Sequence, residues 1–309
     1  MRWRCSPPCG LHRVCHVLQR VAKAIAIEIE AESAVTSPQE PAGPFARAWD
    51  DLSRAQQRAP PVTTVFDAAA YAADVVAEAR RVWEVRRAAE HRSTAVFAAL
   101  AGQLIEAGAG VDATGVVLRM AQDELRHGEV CAGVVTALGG TPGGPAATVL
   151  EALAVHRGCG PEERALRNVI YGCCLTEMVN VARLVDEHDR ATDATLREAL
   201  RQLLADEAAH ARFGFEYLET WASWLQARPD VRASIGTYLR RAFAVFERAL
   251  SGAGAPPRTL TADAHALGLP DPARLVEVFY GTVAEAVIPG LDRFDLGAAA
   301  AWSERTLAK

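Results

Sequence analysis

The sequence predicts an all-α protein, and three observations carry that expectation. Apolar residues recur at every third and fourth position rather than every second, alanine is abundant, and Gly and Pro cut the chain into segments of helical length. With 309 residues, half of them apolar and 23% charged, the chain can build one large domain or two ordinary ones, which argues against disorder or fibre formation.

Residues 10–33 read as an amphipathic helix, followed by a linker marked by Ser37, Pro38, Pro41, Gly43 and Pro44, and a short helical piece before Pro60 and Pro61. A long helix is expected from Asp67 to Ala107, stopped by Gly108-Ala109-Gly110. A second starts near Asp112, read as its N-cap, and ends at Gly139-Gly140. Residues 141–160 read as irregular with a short helix. A third helix runs from Pro161, suited to a first turn, to Asp189, and a fourth from Asp193 to Arg228. Beyond them, Pro229 to Ser251 and Asp271 to Phe294 read as further helices that cover the others or form a homodimer face.

The turns between helices one and two, and between three and four, are too short for anything but antiparallel hairpins. About 20 residues separate the hairpins. A four-helix bundle with one long crossover follows, with an N-terminal extension over 1–66, the bundle over 67–228 and C-terminal helices over 229–309.

Of 33 basic residues only Lys23 and Lys309 are lysine. Chemistry that needs a buried lysine, including phosphate-loop, kinase and Schiff-base types, is therefore excluded. The net charge of −5, with arginines scattered among acids, offers no basic face and argues against nucleic acid as a main partner. No apolar run approaches bilayer-spanning length, and the N-terminus is too interrupted for a signal-peptide core, so no membrane association is expected. The odd count of seven cysteines, with Cys131, Cys159, Cys173 and Cys174 in or beside apolar helical stretches, suits free thiols and a cytoplasmic protein.

The chemistry-bearing pattern lies in the four central helices. Helix two contains Asp123-Glu124-Leu125-Arg126-His127 and helix four Asp206-Glu207-Ala208-Ala209-His210. In each, Glu and His three apart share a helical face and reach one ion. Two such pairs alone prove little. Each, however, has a glutamate on the preceding helix of its own hairpin: Glu90 lies 34 residues before Glu124, and Glu177 lies 30 before Glu207. Folding the hairpins brings each pair to similar depth, and all four glutamates sit in apolar stripes that face the core. Four converging carboxylates need a counter-charge. Two divalent cations with four Glu and two neutral His make a neutral cluster, and oxygen–imidazole ligation suits iron or manganese. Arg126 is expected to project from a different face, leaving metal as the simplest counter-charge.

The stretch from Trp83 to Ala137, with Glu90-His91-Arg92-Ser93 and Asp123 to His127, together with Gly172 to Glu177 and Asp206 to His210, resembles the bacterial ferritin-like di-iron superfamily. The resemblance spans about residues 83–226. It implies a ferritin-like bundle with Glu90, Glu124, His127, Glu177, Glu207 and His210 as ligands of two Fe ions, or of Mn and Fe. Asp-Glu-x-Arg-His is similar to the motif of the ribonucleotide reductase small subunit and bacterial multicomponent monooxygenases. That likeness implies that Asp123 and Asp206 support ligand histidines. The second copy has Ala209 where Arg would stand. The p-aminobenzoate N-oxygenase branch has a further ligand histidine one turn before its last Glu-x-x-His. Here that position is Leu203, which sets the chain apart from that branch.

Other residues read as structural. His91 is expected to pack between helices, His188 to lie exposed at a helix end, and Tyr217, Cys131 and Cys173 to fill the core. The N-terminal Cys5, Cys9, His12, Cys15 and His16 fit no strong zinc spacing. The expected function is a non-haem di-iron oxidase or oxygenase that uses O₂ as co-substrate. It would act on a small organic molecule by hydroxylation, N-oxidation or desaturation, with a ferredoxin or another donor supplying electrons. Two alternatives are a ferroxidase or iron-handling protein and a non-catalytic ferritin-like module.

Overall fold

The structure is a computed structural model and describes residues 66–143, 153–252 and 260–305. The helix expected over 10–33, its linker and the N-terminal Cys/His group lie outside the described residues. Every regular element among the described residues is helical. None is long and apolar enough to cross a membrane.

Four long helices form the centre: α1 (Ala73–Glu106), α2 (Val111–Ala137), α3 and α4 (Ala194–Thr220). Helix α3 is continuous but not uniform. Pro161–Val169 and Met178–Arg190 are α-helical, and Ile170–Glu177 between them is π-helical. After α5 (Ala222–Gln226), α6 (Pro229–Gly252) and α7 (Ala262–Ala266) comes α8. It joins Pro272–Thr282, a π-helical Val283–Val287 and Ile288–Asp292, and α9 (Ala298–Ser303) closes the described chain.

Contacts run α1 to α2, α2 to α4, α4 to α3 and α3 back to α1, closing a ring. Cross-helix pairs fix the directions. Asn168 donates to Gln103 at 2.6 Å while Arg86 donates to Glu187 at 2.5 Å, so α1 and α3 are antiparallel. His127 meets Asp206 and His210 meets Asp123, so α2 and α4 are antiparallel too. Helices α6 and α8 lie on the outside of α3: Arg167 reaches Ser234 at 2.8 Å, and Arg274 grips Asp186 at 2.7 Å.

Several boundaries differ from the sequence expectation. Asp67 caps a separate 3₁₀ turn, Ala68–Ala70, and α1 begins only at Ala73, because Tyr71 and Ala72 are extended and the Tyr71 hydroxyl donates to Asp193 at 3.0 Å. Gly110, not Asp112, is the N-cap of α2. The Asp112 carboxylate sits inside the first turn and accepts from the Ala113 N–H. Helix α4 stops at Thr220, where the hydroxyl donates to the Tyr217 carbonyl at 2.7 Å and competes with the helical ladder. The described parts of 141–160 carry no helix. Gly108 and Gly139 end α1 and α2 at φ of +71° and +73°, a conformation that favours glycine.

The buried apolar side chains form two clusters. One is built around Phe97, Leu100, Met120, Leu166 and Phe213, the other around Val76, Trp83, Val134 and Leu200. On α1, α2 and α4 buried polar side chains stand between the two clusters: Arg86, Arg87 and Glu90; Asp123, Glu124 and His127; and Asp206, Glu207 and His210.

Candidate metal centre

Those polar stretches, with Glu177 of α3, meet in one layer. Glu90, Glu124, His127 and Glu207 bring one donor atom each within 4.8 Å of one another, and so do Glu177, Glu207 and His210. All six residues expected from the sequence are thus in one place, in two groups that share Glu207. His127 Nδ1 lies 3.6 Å from both Glu124 Oε2 and Glu207 Oε1, and His210 Nδ1 lies 3.2 Å from Glu124 Oε1 and 3.3 Å from Glu207 Oε2. Glu124 and Glu207 therefore each offer one oxygen to each histidine. Glu90 and Glu177 stand at the two outer positions. The histidines are completely buried, whereas Glu90 and Glu177 keep 7% and 6% exposure and face a cavity.

The two aspartates work crosswise. Asp206 meets the Nε2 of His127, which belongs to the other motif, at 3.1 Å, and Asp123 stands 3.6 Å from His210 Nε2. The second distance is an ion-pair contact rather than a hydrogen bond. Each aspartate has its own guanidinium: Arg119 pairs with Asp123 at 3.0 Å, and Arg126 pairs with Asp206. The expectation that Arg126 projects away from the site is thus corrected. It reaches from α2 across to the aspartate of α4. Arg119 stands one turn before Asp123, whereas Gln202 holds the same place before Asp206. Both guanidiniums therefore come from α2. Among the described residues no guanidinium pairs with any of the four glutamates.

Burial and the neighbouring charges of Glu124 and Glu207 raise Glu90 well above the ordinary carboxylate range. Burial and Glu207 raise Glu177 likewise. Burial and Glu207 press Glu124 upward, yet His127 and His210 hold it below its usual value. Burial also opposes the ionisation of Glu207, but His210, Glu177 and His127 hold it low. Burial disfavours a charged His210, but Asp123, Glu124 and Glu207 around it raise it well above an ordinary imidazole. Without ions, burial and like charge therefore favour the protonated forms of Glu90, beside Glu124, and of Glu177, beside Glu207.

The donor set fits metal ions. Both oxygens of Glu124, Oε2 of Glu207 and the Nδ1 atoms of His127 and His210 are buried without a hydrogen-bond partner, and they are turned toward one another. Such orphaned groups are costly unless something occupies the space between them. A pair of cations would satisfy all of them.

The remaining sequence candidates lie apart from this centre. His91 packs on α2, where a Cβ at Gly128 would come within 2.9 Å of its ring. His188 is half-buried at the end of α3. Leu203 is buried in the second apolar cluster, and Tyr217 is stacked on Phe213 at 5.7 Å. Cys131, Cys173 and Cys174 are buried free thiols.

Sequence reasoning missed four features. Arg119 was legible from its i, i+4 spacing to Asp123. The reach of Arg126 between helices and the π-helical path of α3 left no comparable sign. The cavity could not be read either, because its wall combines α1 and α3 with α6 and α8.

Comparison of the chain with protein families, curated proteins and solved structures gives no match in any of the three.

Proposed function

We propose that the chain is a non-haem di-iron protein of ferritin-like architecture that activates O₂ to oxidise a small organic substrate. The observation that carries this reading is the pair of donor groups sharing Glu207, with unpartnered buried donor atoms turned inward. Four carboxylates and two imidazoles suit two iron ions, or one manganese and one iron. When bound, such ions supply the electron chemistry of O₂ reduction.

The rest falls to the chain's own residues. Glu124 and Glu207, each close to both imidazoles, would help hold both ions, and Glu90 and Glu177 would each help hold one on the cavity side. Asp206 and Asp123 hold the imidazoles with Nδ1 facing inward and Nε2 outward, which fixes ring orientation. The apolar clusters on either side of the layer exclude water.

A cavity of about 840 Å³, lined by Glu90, Glu124, Glu177 and Glu207 at one end, gives an organic molecule access to the same carboxylates. Its other walls are mainly apolar, which favours an organic substrate over stored iron. Electrons for repeated turnover come in this reading from an external donor such as a ferredoxin.

Anaerobic titration with Fe(II) followed by mixing with O₂ tests the proposal. We expect two ions per chain and a transient absorbance whose decay quickens with an added organic substrate. Direct growth of ferric mineral would point to iron handling instead, and failure to bind two ions would remove the basis of the reading.

A further inference from the structure

The cavity beside the metal centre has a charged feature that ligand binding does not use. Glu187 of α3 is completely buried, and its carboxylate is shared between two guanidiniums: Arg86 of α1 at 2.5 Å and Arg183 of α3 at 3.0 Å. One negative and two positive charges leave a net positive charge in the wall. Arg86 and Arg183 both line the cavity. Arg86 is buried, stacked over Trp83 at 4.5 Å, and its Nε has no hydrogen-bond partner. Arg183 keeps 27% of its side chain exposed and is steadied by Asn180, which accepts from Nη2 at 2.5 Å.

The position of this charge is specific. Arg86 lies one turn before Glu90, and Arg183 lies six residues past Glu177, about 6 and 9 Å along their helix axes. The two arginines therefore flank the cavity just outside the carboxylate layer. Around them the wall is mainly apolar, with Val82, Val85, Val179 and Val276 among its residues. With four glutamates balanced by two divalent ions, the layer itself is neutral, and the arginine pair sets the sign of the field in the cavity. An unpaired positive charge in an apolar wall is costly unless an anion answers it.

We infer that the cavity binds an elongated, mainly apolar molecule carrying one carboxylate, with the carboxylate held at Arg86 and Arg183 beside the metal centre and the apolar body along the valine-lined wall. This rests on the reading of the centre as the place of substrate oxidation, and it names the substrate class of that same site.

The test is calorimetric titration of the Mn(II)-treated full chain with octanoate, 1-octanol and octylamine. Charge-assisted hydrogen bonding predicts that octanoate binds at least about tenfold more tightly than the alcohol or the amine. Asn180→Asp places a carboxylate of the same size against Arg183 and cancels the net charge. It should bring octanoate down to the affinity of octanol while leaving octanol within about twofold. Arg183→Gln should do the same, and melting curves establish that each variant is folded. Equal binding of octanoate and octanol by the unaltered chain, or a preference that survives in a folded variant, would overturn the inference. Elemental analysis of the same samples separates the two claims. Two ions per chain with no carboxylate preference defeats this inference alone. A retained preference without bound ions defeats the metal reading alone.

Discussion

Glu207 is the residue on which both donor groups depend, whereas Glu177 serves only one. Glu207→Ala should therefore abolish stoichiometric binding of both ions, and Glu177→Ala should leave close to one ion per chain. Elemental analysis after dialysis reads the difference, and equal losses would contradict the sharing.

The protons on the metal-free centre give a second prediction. Glu90, Glu177 and His210 bind protons more tightly in the folded chain than in the unfolded one. The stability they contribute is fully present below their unfolded values and is lost as pH rises through the folded ones. Glu124 and Glu207, held low, are ionised in both states above about pH 5 and add no slope there. Metal-free protein should thus melt at progressively lower temperature as pH rises from about 6 to 8, and the gap to the metal-loaded form should widen. Metal binding should release protons and strengthen with pH. Scanning fluorimetry and titration in buffers of different ionisation enthalpy measure both effects.

At the scale of the element, the π-helical part of α3 positions Glu177. The Thr176 hydroxyl donates to the Tyr171 carbonyl five residues back, the span of a π turn, and Glu177 is the last residue of the segment. The widened turn presses against α4 at Gly214. A Cβ there would lie 2.7 Å from Cys173 Cβ and 2.9 Å from the Cys174 backbone nitrogen. Gly214→Ala should cost about 1–3 kcal/mol of stability through overpacking. It should also weaken the ion at Glu177 and His210 before the one at Glu90 and His127. Denaturant unfolding and metal titration check the two parts, and a variant with unchanged stability and stoichiometry would count against this role.

Element existence was legible in the sequence because breakers and apolar periodicity agree over α1 to α4. The π segment was not, since Ile170 to Glu177 presents the same apolar pattern in an α or a π turn. In α8, a π segment precedes Pro289, which has no N–H to donate to the preceding turn. There the proline was visible, and its consequence for the helix was not.

At the scale of the molecule, the six clustered residues were legible because each hairpin carries a Glu-x-x-His pair with a further glutamate on its preceding helix. The second layer was read only in part. The aspartates were found, but their exchange between helices depends on how α2 and α4 face each other, which the spacing within one helix does not encode. The outer cover was also beyond the sequence. Arg274 holds α8 on α3 through Asp186, which also binds Arg190 at 3.0 Å, and Pro272, Leu275 and Val276 of α8 then line the cavity. Arg274→Ala should loosen this cover. We expect removal of bound metal by a bulky chelator to quicken about tenfold with unchanged ion stoichiometry, for a stability loss on the order of 1–3 kcal/mol. Stopped-flow chelation measures the rate, and an unchanged rate in a folded variant would place the entry path elsewhere.

The crosswise aspartates bear on how the protein is made. During synthesis the first hairpin emerges with Glu90, Glu124 and His127, but the carboxylate that aims His127 lies some 80 residues downstream, at Asp206. The second hairpin brings a trio of its own, and the partner of its His210 is Asp123, already made. Neither half can orient its own imidazole. On the proposed reading, metal capture in the finished geometry would wait until both hairpins have docked, and ion content would record completed assembly.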